Sequence, residues 1–360
     1  MNTPEGNAIV YCDGAFNTPN GKTAHGLVRF TKRYNVLTVI DSKYAGQDAS
    51  FVLDRKEKGI PVSGSLSEAL KIFKSTNNKP THFVIGLAPD GGRLNKEARK
   101  TVKEALEQGL NIDSGLHDFL SDDKEFIRLA KEKNLKIRDV RKPVPRDKLH
   151  FFDGRIEKVN SLKIALLGTD SAIGKRTTAW IIVNELNKKN IKAEMIGTGQ
   201  TAWMQGAKYS VIMDSIVNDF VSGEIENAVY EAWKNEKPKV IIIEGQGSLM
   251  NPAYPGGFEI LAAGRPDIII LQHAPARKEY DGFPGYVLHP LEKQIQAIEL
   301  LSGKPVVAVT INHENLELSN IAQLCEELNK KYNLPFYDVL LNGADNLIDH
   351  IINYISPKDK

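Results

Sequence analysis

The stretch Gly168-Thr169-Asp170-Ser171-Ala172-Ile173-Gly174-Lys175-Arg176-Thr177-Thr178 constrains this chain more than any other. An apolar run, Ile164 to Leu167, precedes it, and a helical pattern over Lys175–Asn187 follows. Strand, glycine-bounded loop, lysine, hydroxyl pair and helix is the arrangement of a phosphate-binding loop, in which backbone N–H groups and a helix N-terminus face an anion. Gly168, Asp170, Gly174, Lys175, Arg176, Thr177 and Thr178 are therefore the candidate cofactor-binding residues. Lys175 supplies a point charge, and the Thr177 hydroxyl can ligate Mg²⁺. Five residues separate Gly168 from Gly174, and Arg176 stands between Lys175 and Thr177. Both features depart from the commonest form of the motif, which has a four-residue gap and an adjacent lysine–hydroxyl pair.

A loop of this kind belongs in an α/β sheet, and the rest of the chain supplies two. The first half has short apolar runs at Ala8–Cys12, Val36–Ile40 and His82–Gly86. They read as buried parallel strands, alternating with helical patterns at Ser67–Lys74, Lys96–Gln108 and Lys124–Lys133. Pro143 and Pro145 interrupt this alternation and mark a linker, because proline continues neither a helix nor a central strand. The expected domains are thus residues 1–145 and 146–360. The second half offers strands at Lys163–Leu167, Ala193–Ile196, Val240–Ile243, Ile268–Gln272, Val306–Ile311 and Phe336–Leu341. Helical patterns lie at Lys175–Asn187, Ile225–Trp233, Glu292–Leu301, Leu316–Tyr332 and Asn346–Ile355. The expected fold is α/β, with two doubly wound parallel sheets and ligands beyond the strand carboxyl ends.

Composition narrows the function classes. A net charge of +2 gives no argument for nucleic acid or for an acidic membrane surface. No apolar run approaches the ~20 residues needed to span a bilayer. Two cysteines, Cys12 and Cys325, stand far apart in no ligand-like spacing, which suits a reducing cytoplasm. The polar start of the chain has no signal-peptide pattern. A homo-oligomer is the base-rate expectation.

The strand ends carry the remaining candidates. Val240–Ile243 delivers Glu244 into the turn Gly245-Gln246-Gly247, which suits a carboxylate that organises Mg²⁺ near phosphate. Thr177 and Glu244 are the candidate metal ligands. Gly197-Thr198-Gly199 leaves room for a ligand that Gln200 and Thr201 can hydrogen-bond, although a simple glycine turn is the alternative. Asp214 can hold a metal-bound water or orient a substrate amine, and can equally cap a helix. His273 is a candidate general base, since imidazole titrates near neutrality; a structural hydrogen-bonding histidine is the alternative. Arg277 can clamp a carboxylate bidentately. Asn312 can read an adenine edge, because its amide offers both donor and acceptor. In the first half, Asp90 and Gly91 lie in a turn suited to an anion. Asp41 ends the second strand, where a dinucleotide fold places its ribose acid. The first turn, however, lacks the G-x-G-x-x-G spacing, which argues against NAD.

Together, Ala45-Gly46-Gln47-Asp48, Ala88-Pro89-Asp90-Gly91-Gly92, Gly168–Thr178, Gly197–Thr201, Asp214–Gly223 and Glu244–Gly247 give the chain a family resemblance. It resembles, over nearly its whole length, the family that joins an N-terminal Rossmann-like domain to a C-terminal P-loop domain. Characterised members of that family include the D-glutamate N-acetyltransferases. The resemblance implies acetyl-CoA as donor and the amine of a small amino acid, such as D-glutamate, as acceptor. The phosphate loop then cradles the CoA pyrophosphate. Glu244, His273 or Asp214 is the base, and backbone N–H groups of the glycine turns stabilise the oxyanion. The loop itself also looks like the longer loop of dethiobiotin synthetase-like proteins. That likeness implies ATP with Mg²⁺ and a ligase or kinase acting on a small carboxylate. A nucleotide-regulated binding protein without turnover is a third reading, since one fold hosts many chemistries.

Overall fold

The computed structural model describes residues 3–74 and 76–355. Within it the chain divides into two compact units. One comprises the residues up to Pro143 together with Gln200–Gly206, and the other Val144–Gly199 and the residues from Ala207 onward.

The first unit holds six strands among the described residues: β1 (Gly6–Tyr11), β2 (Tyr34–Ile40), β3 (Val62–Ser63), β4 (His82–Ile85), β5 (Asn111–Ser114) and β6 (Ile137–Asp139). They form one parallel sheet in the order β3-β2-β1-β4-β5-β6, so the chain reverses direction across the sheet between β1 and β4. Ala8, Ile9 and Val10 of β1 are fully buried on both faces, as a helix-covered sheet requires. The expected strands and helices are all present, but β3, β5 and β6 carry no apolar run that would announce them. In β5, Asn111-Ile112-Asp113-Ser114, the fully buried Asp113 is satisfied by the Tyr34 hydroxyl at 2.6 Å and by the Arg138 guanidinium. A buried charge with paired donors replaces the aliphatic side chain that periodicity looks for.

The second unit adds β7 (Leu162–Gly168), β8 (Ala193–Gly197), β9 (Tyr209–Ser210), β10 (Val240–Glu244), β11 (Ile268–His273), β12 (Val306–Ile311) and β13 (Phe336–Tyr337). Their order is β13-β12-β11-β7-β10-β8-β9, again all parallel. Among the described residues the sheet therefore has seven strands rather than the expected six, because the two-residue β9 extends its edge. The last strand is shorter than Phe336–Leu341. Its chain turns at Asp338, whose carboxylate takes the N–H groups of Leu340 and Leu341 away from the sheet. The helix expected at Leu316–Tyr332 begins only at Ile321, after a 3-10 turn at Leu318–Asn320.

One helix is much longer than its apolar pattern, spanning Asn218–Glu236 instead of Ile225–Trp233. Within the expected span Glu226 is fully buried and accepts hydrogen bonds from the backbone N–H groups of Asp153 and Ile156. The strap at His150–Ile156 thus lies on this helix. A Cβ on Gly223 would stand 2.0 Å from the His150 carbonyl oxygen, so only glycine lets the backbones meet. No described helix is long and apolar enough to cross a membrane.

Candidate active site at the phosphate loop

β7 ends in Leu166-Leu167-Gly168 at the middle of its sheet, with β10 on one side and β11 on the other. The next helix starts at Lys175, its N-terminal residue Gly174 sits at φ 98°, and no side chain caps it. The N–H groups of that first turn are the orphan donors that an anion satisfies. Gly168 makes the loop close: a Cβ there would stand 2.7 Å from Lys175 Cδ and 3.0 Å from its Nζ. The lysine stem therefore runs back across the glycine. Its Nζ donates to the carbonyls of Asp170 and of Gly247, the latter at 2.9 Å. Burial lowers the Lys175 pKa to about 8, against the pull of Asp170 and Glu244.

Asp170 does a different job from its neighbours. Its carboxylate is fully buried and accepts from Ser171 N at 2.7 Å, Asn251 Nδ2 at 2.9 Å, Arg277 Nη1 at 2.9 Å and Asp281 N at 2.8 Å. The side chain shapes the loop from behind and leaves no lone pair aimed outward. Arg277 neutralises this charge, which would otherwise repel a bound phosphate. The guanidinium also holds the Ser171 carbonyl and Glu314. Read from sequence as a clamp for a substrate carboxylate, Arg277 clamps the protein's own Asp170 and Glu314.

The two hydroxyls after Lys175 differ in the same way. Thr178 Oγ1 donates to Gln272 Oε1 at 2.7 Å, and Thr310 Oγ1 donates to the same oxygen at 2.6 Å, which ties the helix to β11 and β12. The Thr177 hydroxyl, by contrast, has no hydrogen-bond partner among the described residues. Asn312 spends its amide locally: Nδ2 donates to the Ile173 carbonyl at 3.2 Å and Oδ1 accepts from Glu314 N at 3.0 Å.

Glu244, at the end of β10, is buried with 4% exposure and accepts from Thr198 N at 2.9 Å. Burial raises its pKa, opposed by the positive charges of Arg176 and Lys175. A carboxyl group so placed holds its proton more tightly than a solvated one. Thr198 Oγ1 in turn donates to the Glu244 carbonyl at 3.0 Å and accepts from Gln246 Nε2 at 3.0 Å. The Gly197-Thr198-Gly199 turn thus orients Glu244. Among the described residues no group of three or more His, Cys, Asp or Glu is arranged to hold a metal. A magnesium ion shared between one carboxylate, a hydroxyl and substrate phosphates needs no such group.

The remaining candidates are His273, Asp214, Gln200, Thr201, Asp90 and Gly91. His273 Nδ1 is hydrogen-bonded to Thr169 Oγ1 at 3.0 Å, and burial lowers its pKa to about 4. Such a ring is neutral at pH 7 but a weak proton acceptor. Asp214 is exposed in a 3-10 turn, Met213–Ser215, anchored by Met213 N on the Thr198 carbonyl at 3.2 Å. Gln200 and Thr201 are buried in a short helix, Gln200–Met204, that belongs to the first unit. There the Thr201 hydroxyl is paired with the Thr23 hydroxyl at 3.0 Å, so it serves packing rather than a ligand. Gly91 is exposed at φ 72° in the turn Asp90–Gly92, and the Asp90 side chain lies outside the described residues. Sequence reading missed Gln272, Asn251 and Asp281. The one signal for the last two was indirect: an acid inside a phosphate loop needs buried donors from elsewhere.

Comparison with known proteins agrees with this architecture. Residues 150–348 match the model of a domain of unknown function described as the DUF1611 C-terminal P-loop domain, and residues 42–143 match the DUF1611 N-terminal Rossmann-like domain. A D-glutamate N-acetyltransferase of Pseudoalteromonas sp. is 30% identical over 294 residues, covering 80% of this chain and 84% of the relative. A second D-glutamate N-acetyltransferase, from Tritonibacter scottomollicae, is 31% identical over 273 residues, covering 74% and 80%. The crystal structure of a DUF1611 family protein from Anabaena variabilis superposes with a TM-score of 0.88 at 26% identity, covering 97% of this chain and 99% of the other. With both halves matched and the whole fold shared, this chain belongs to the DUF1611 family, which joins a Rossmann-like N-terminal domain to a C-terminal P-loop domain.

Proposed function

We propose that this protein is an N-acetyltransferase that moves the acetyl group of acetyl-CoA to the amine of a small amino acid such as D-glutamate. One observation carries the reading. A buried carboxyl group, Glu244, stands among the charges of Lys175 and Arg176 beside an uncapped helix start, in a chain whose relatives are named for this transfer. Acetyl-CoA, when bound, supplies the thioester. The loop Gly168–Thr178 holds the pyrophosphate through its first-turn N–H groups and the Lys175 ammonium. Glu244 takes the proton from the acceptor's ammonium group at the oxygen that Thr198 N does not hold. Its raised pKa brings it nearer the working pH, which is where a general base is most effective. Thr198 and Gln246 keep the carboxylate oriented, while Asp170, Arg277 and Asn251 keep the loop in shape.

The test is thiol release from acetyl-CoA in the presence of D- and L-glutamate, with the acetylated product identified by mass spectrometry. Release that requires the amino acid supports the reading. Absence of thiol release with any amino acid, together with Mg²⁺-dependent ADP formation from ATP, overturns it. That second outcome belongs to a ligase or kinase acting on a small carboxylate, a reading the unengaged Thr177 hydroxyl supports, since a hydroxyl just after a phosphate-loop lysine can ligate Mg²⁺.

A further inference from the structure

A histidine–aspartate pair joins the loops that follow β12 and β13. His313 Nδ1 is hydrogen-bonded to Asp338 Oδ2; the Asp338 side chain is fully buried, and that of His313 is 27% exposed. The other Asp338 oxygen, Oδ1, accepts from Leu340 N at 3.1 Å and Leu341 N at 3.0 Å. A carboxylate only accepts, so in the neutral ring the proton sits on Nδ1 and Nε2 presents a bare lone pair. Among the described residues Nε2 has no hydrogen-bond partner.

This ring is registered on the phosphate loop by its neighbours. Asn312 donates to the Ile173 carbonyl, and Glu314 binds Arg277, which grips Asp170. β12 lies two strands from β7, with β11 between them. At about 4.8 Å per strand this places the pair roughly 10 Å along the sheet edge from the phosphate loop. A nucleotide whose diphosphate sits in the loop has its base about a ribose away, in this range. Leu340 and Leu341 add apolar surface beside the pair, at 44% and 42% exposure. Asn312, the residue that sequence alone nominates to read adenine, has both ends of its amide already engaged.

We infer that His313, fixed in one tautomer by Asp338, reads the base of a bound adenosine diphosphate moiety. Its Nε2 accepts the exocyclic amine of a 6-amino purine and rejects the carbonyl of a 6-oxo purine. The inference rests on the reading that the loop at Lys175 holds a diphosphate, and it applies equally to CoA and to ATP, which share this moiety.

Isothermal titration of the full chain with ADP and with CoA, each against its 6-oxo counterpart (IDP and deaminated CoA), tests it. The 6-amino form is expected to bind about tenfold more tightly, the worth of one hydrogen bond against an unpaired acceptor. Whichever of ADP and CoA binds identifies the source of the moiety. Asp338→Asn sharpens the test. Its Oδ1 can keep the Leu340 and Leu341 amides while its Nδ2 donates to His313 Nδ1. The ring proton then moves to Nε2, and the preference is expected to reverse toward the 6-oxo form; a merely structural pair gives no reversal. His313→Phe, checked by thermal melting for a folded chain, is expected to bind both forms alike. Equal affinity of the unaltered protein for 6-amino and 6-oxo forms overturns the inference alone. Failure of ADP and CoA alike to bind overturns the diphosphate reading beneath it.

Discussion

The two sheets bring acidic residues to their carboxyl edges in the same way and then use them differently. At the β1–β2 edge of the first unit, Asp41 accepts from Phe16 N at 3.0 Å, Lys43 N at 2.9 Å and Tyr44 N at 3.3 Å, while Asp13 accepts from the backbone and hydroxyl of Ser42. The acid that a dinucleotide fold reserves for ribose is spent on the protein's own loops, and the edge is closed by its own hydrogen bonds. At the β7–β10 edge of the second unit, the loop's own acid, Asp170, is likewise spent inward. There, however, the helix start has no side-chain cap, the Thr177 hydroxyl has no partner among the described residues, and a lysine and a glutamate are buried together. At the first edge the acids are spent on backbone N–H groups, whereas at the second the helix start and the Thr177 hydroxyl are not, which makes the second the candidate site.

If that contrast is right, substitutions at the second edge change activity and those at the first change stability. The largest effect is expected at Glu244. Glu244→Gln keeps the bond from Thr198 N but cannot take a proton, so turnover should fall by about 10²–10⁴-fold with cofactor affinity nearly unchanged. Equal losses in binding and turnover would make Glu244 a ligand-holding residue instead. Lys175→Ala should weaken CoA or nucleotide binding by about 100-fold, the worth of a charge-assisted contact, while the melting temperature stays near that of the parent. Normal binding in that variant would mean that the loop at Lys175 does not hold the phosphates. Asp41→Ala is the matched control in the first unit. It strands three N–H groups and should cost about 3 kcal/mol of stability in a denaturant titration, with turnover of the remaining folded protein unaffected.

A pH profile separates the two site residues. Lys175, with its pKa lowered to about 8, is cationic below that value and neutral above it. The kcat/KM profile of the free enzyme should therefore fall above about pH 8, by about tenfold per unit. Glu244 has a raised pKa and loses its proton later than a solvated carboxylate. The acid limb should accordingly lie above the ordinary glutamate range, and it should vanish in Glu244→Gln while the alkaline limb persists.

Local chemistry was legible in the sequence and long-range compensation was not. The phosphate loop, Glu244 and the linker prolines are contiguous patterns, and the buried runs of β1, β7, β10, β11 and β12 announce a doubly wound sheet. Thr178, Asn312 and Arg277 were read as ligand contacts because their residue types suit that work. Their partners, Gln272 on β11 and Ile173 and Asp170 in the phosphate loop, are ones that no local pattern pairs with them. Asp170 makes the point most sharply, since Asn251 and Asp281 reach it from 81 and 111 residues away. The same holds for elements: β5 hides because its buried residues include an aspartate and a serine beside Ile112, and the buried Glu226 of the Asn218–Glu236 helix serves a strap from another segment. His313 drew no notice beside Asn312, because its meaning depends on Asp338, a residue just after the next strand.

The smallest effect is expected at His273, and it bears on whether residue type or surroundings decides a role. By type, as a histidine, it suits the role of general base. By position, burial holds its pKa at about 4 and Thr169 occupies its Nδ1. A ring of that pKa is neutral across the working range, so it neither gains charge with substrate nor contributes a limb to the pH profile. His273→Asn can preserve a hydrogen bond to Thr169 and should leave kcat within about threefold and both limbs in place. Loss of the acid limb in this variant, with Glu244→Gln retaining it, would move the base from β10 to β11 and put the reacting centre on the opposite side of the phosphate loop.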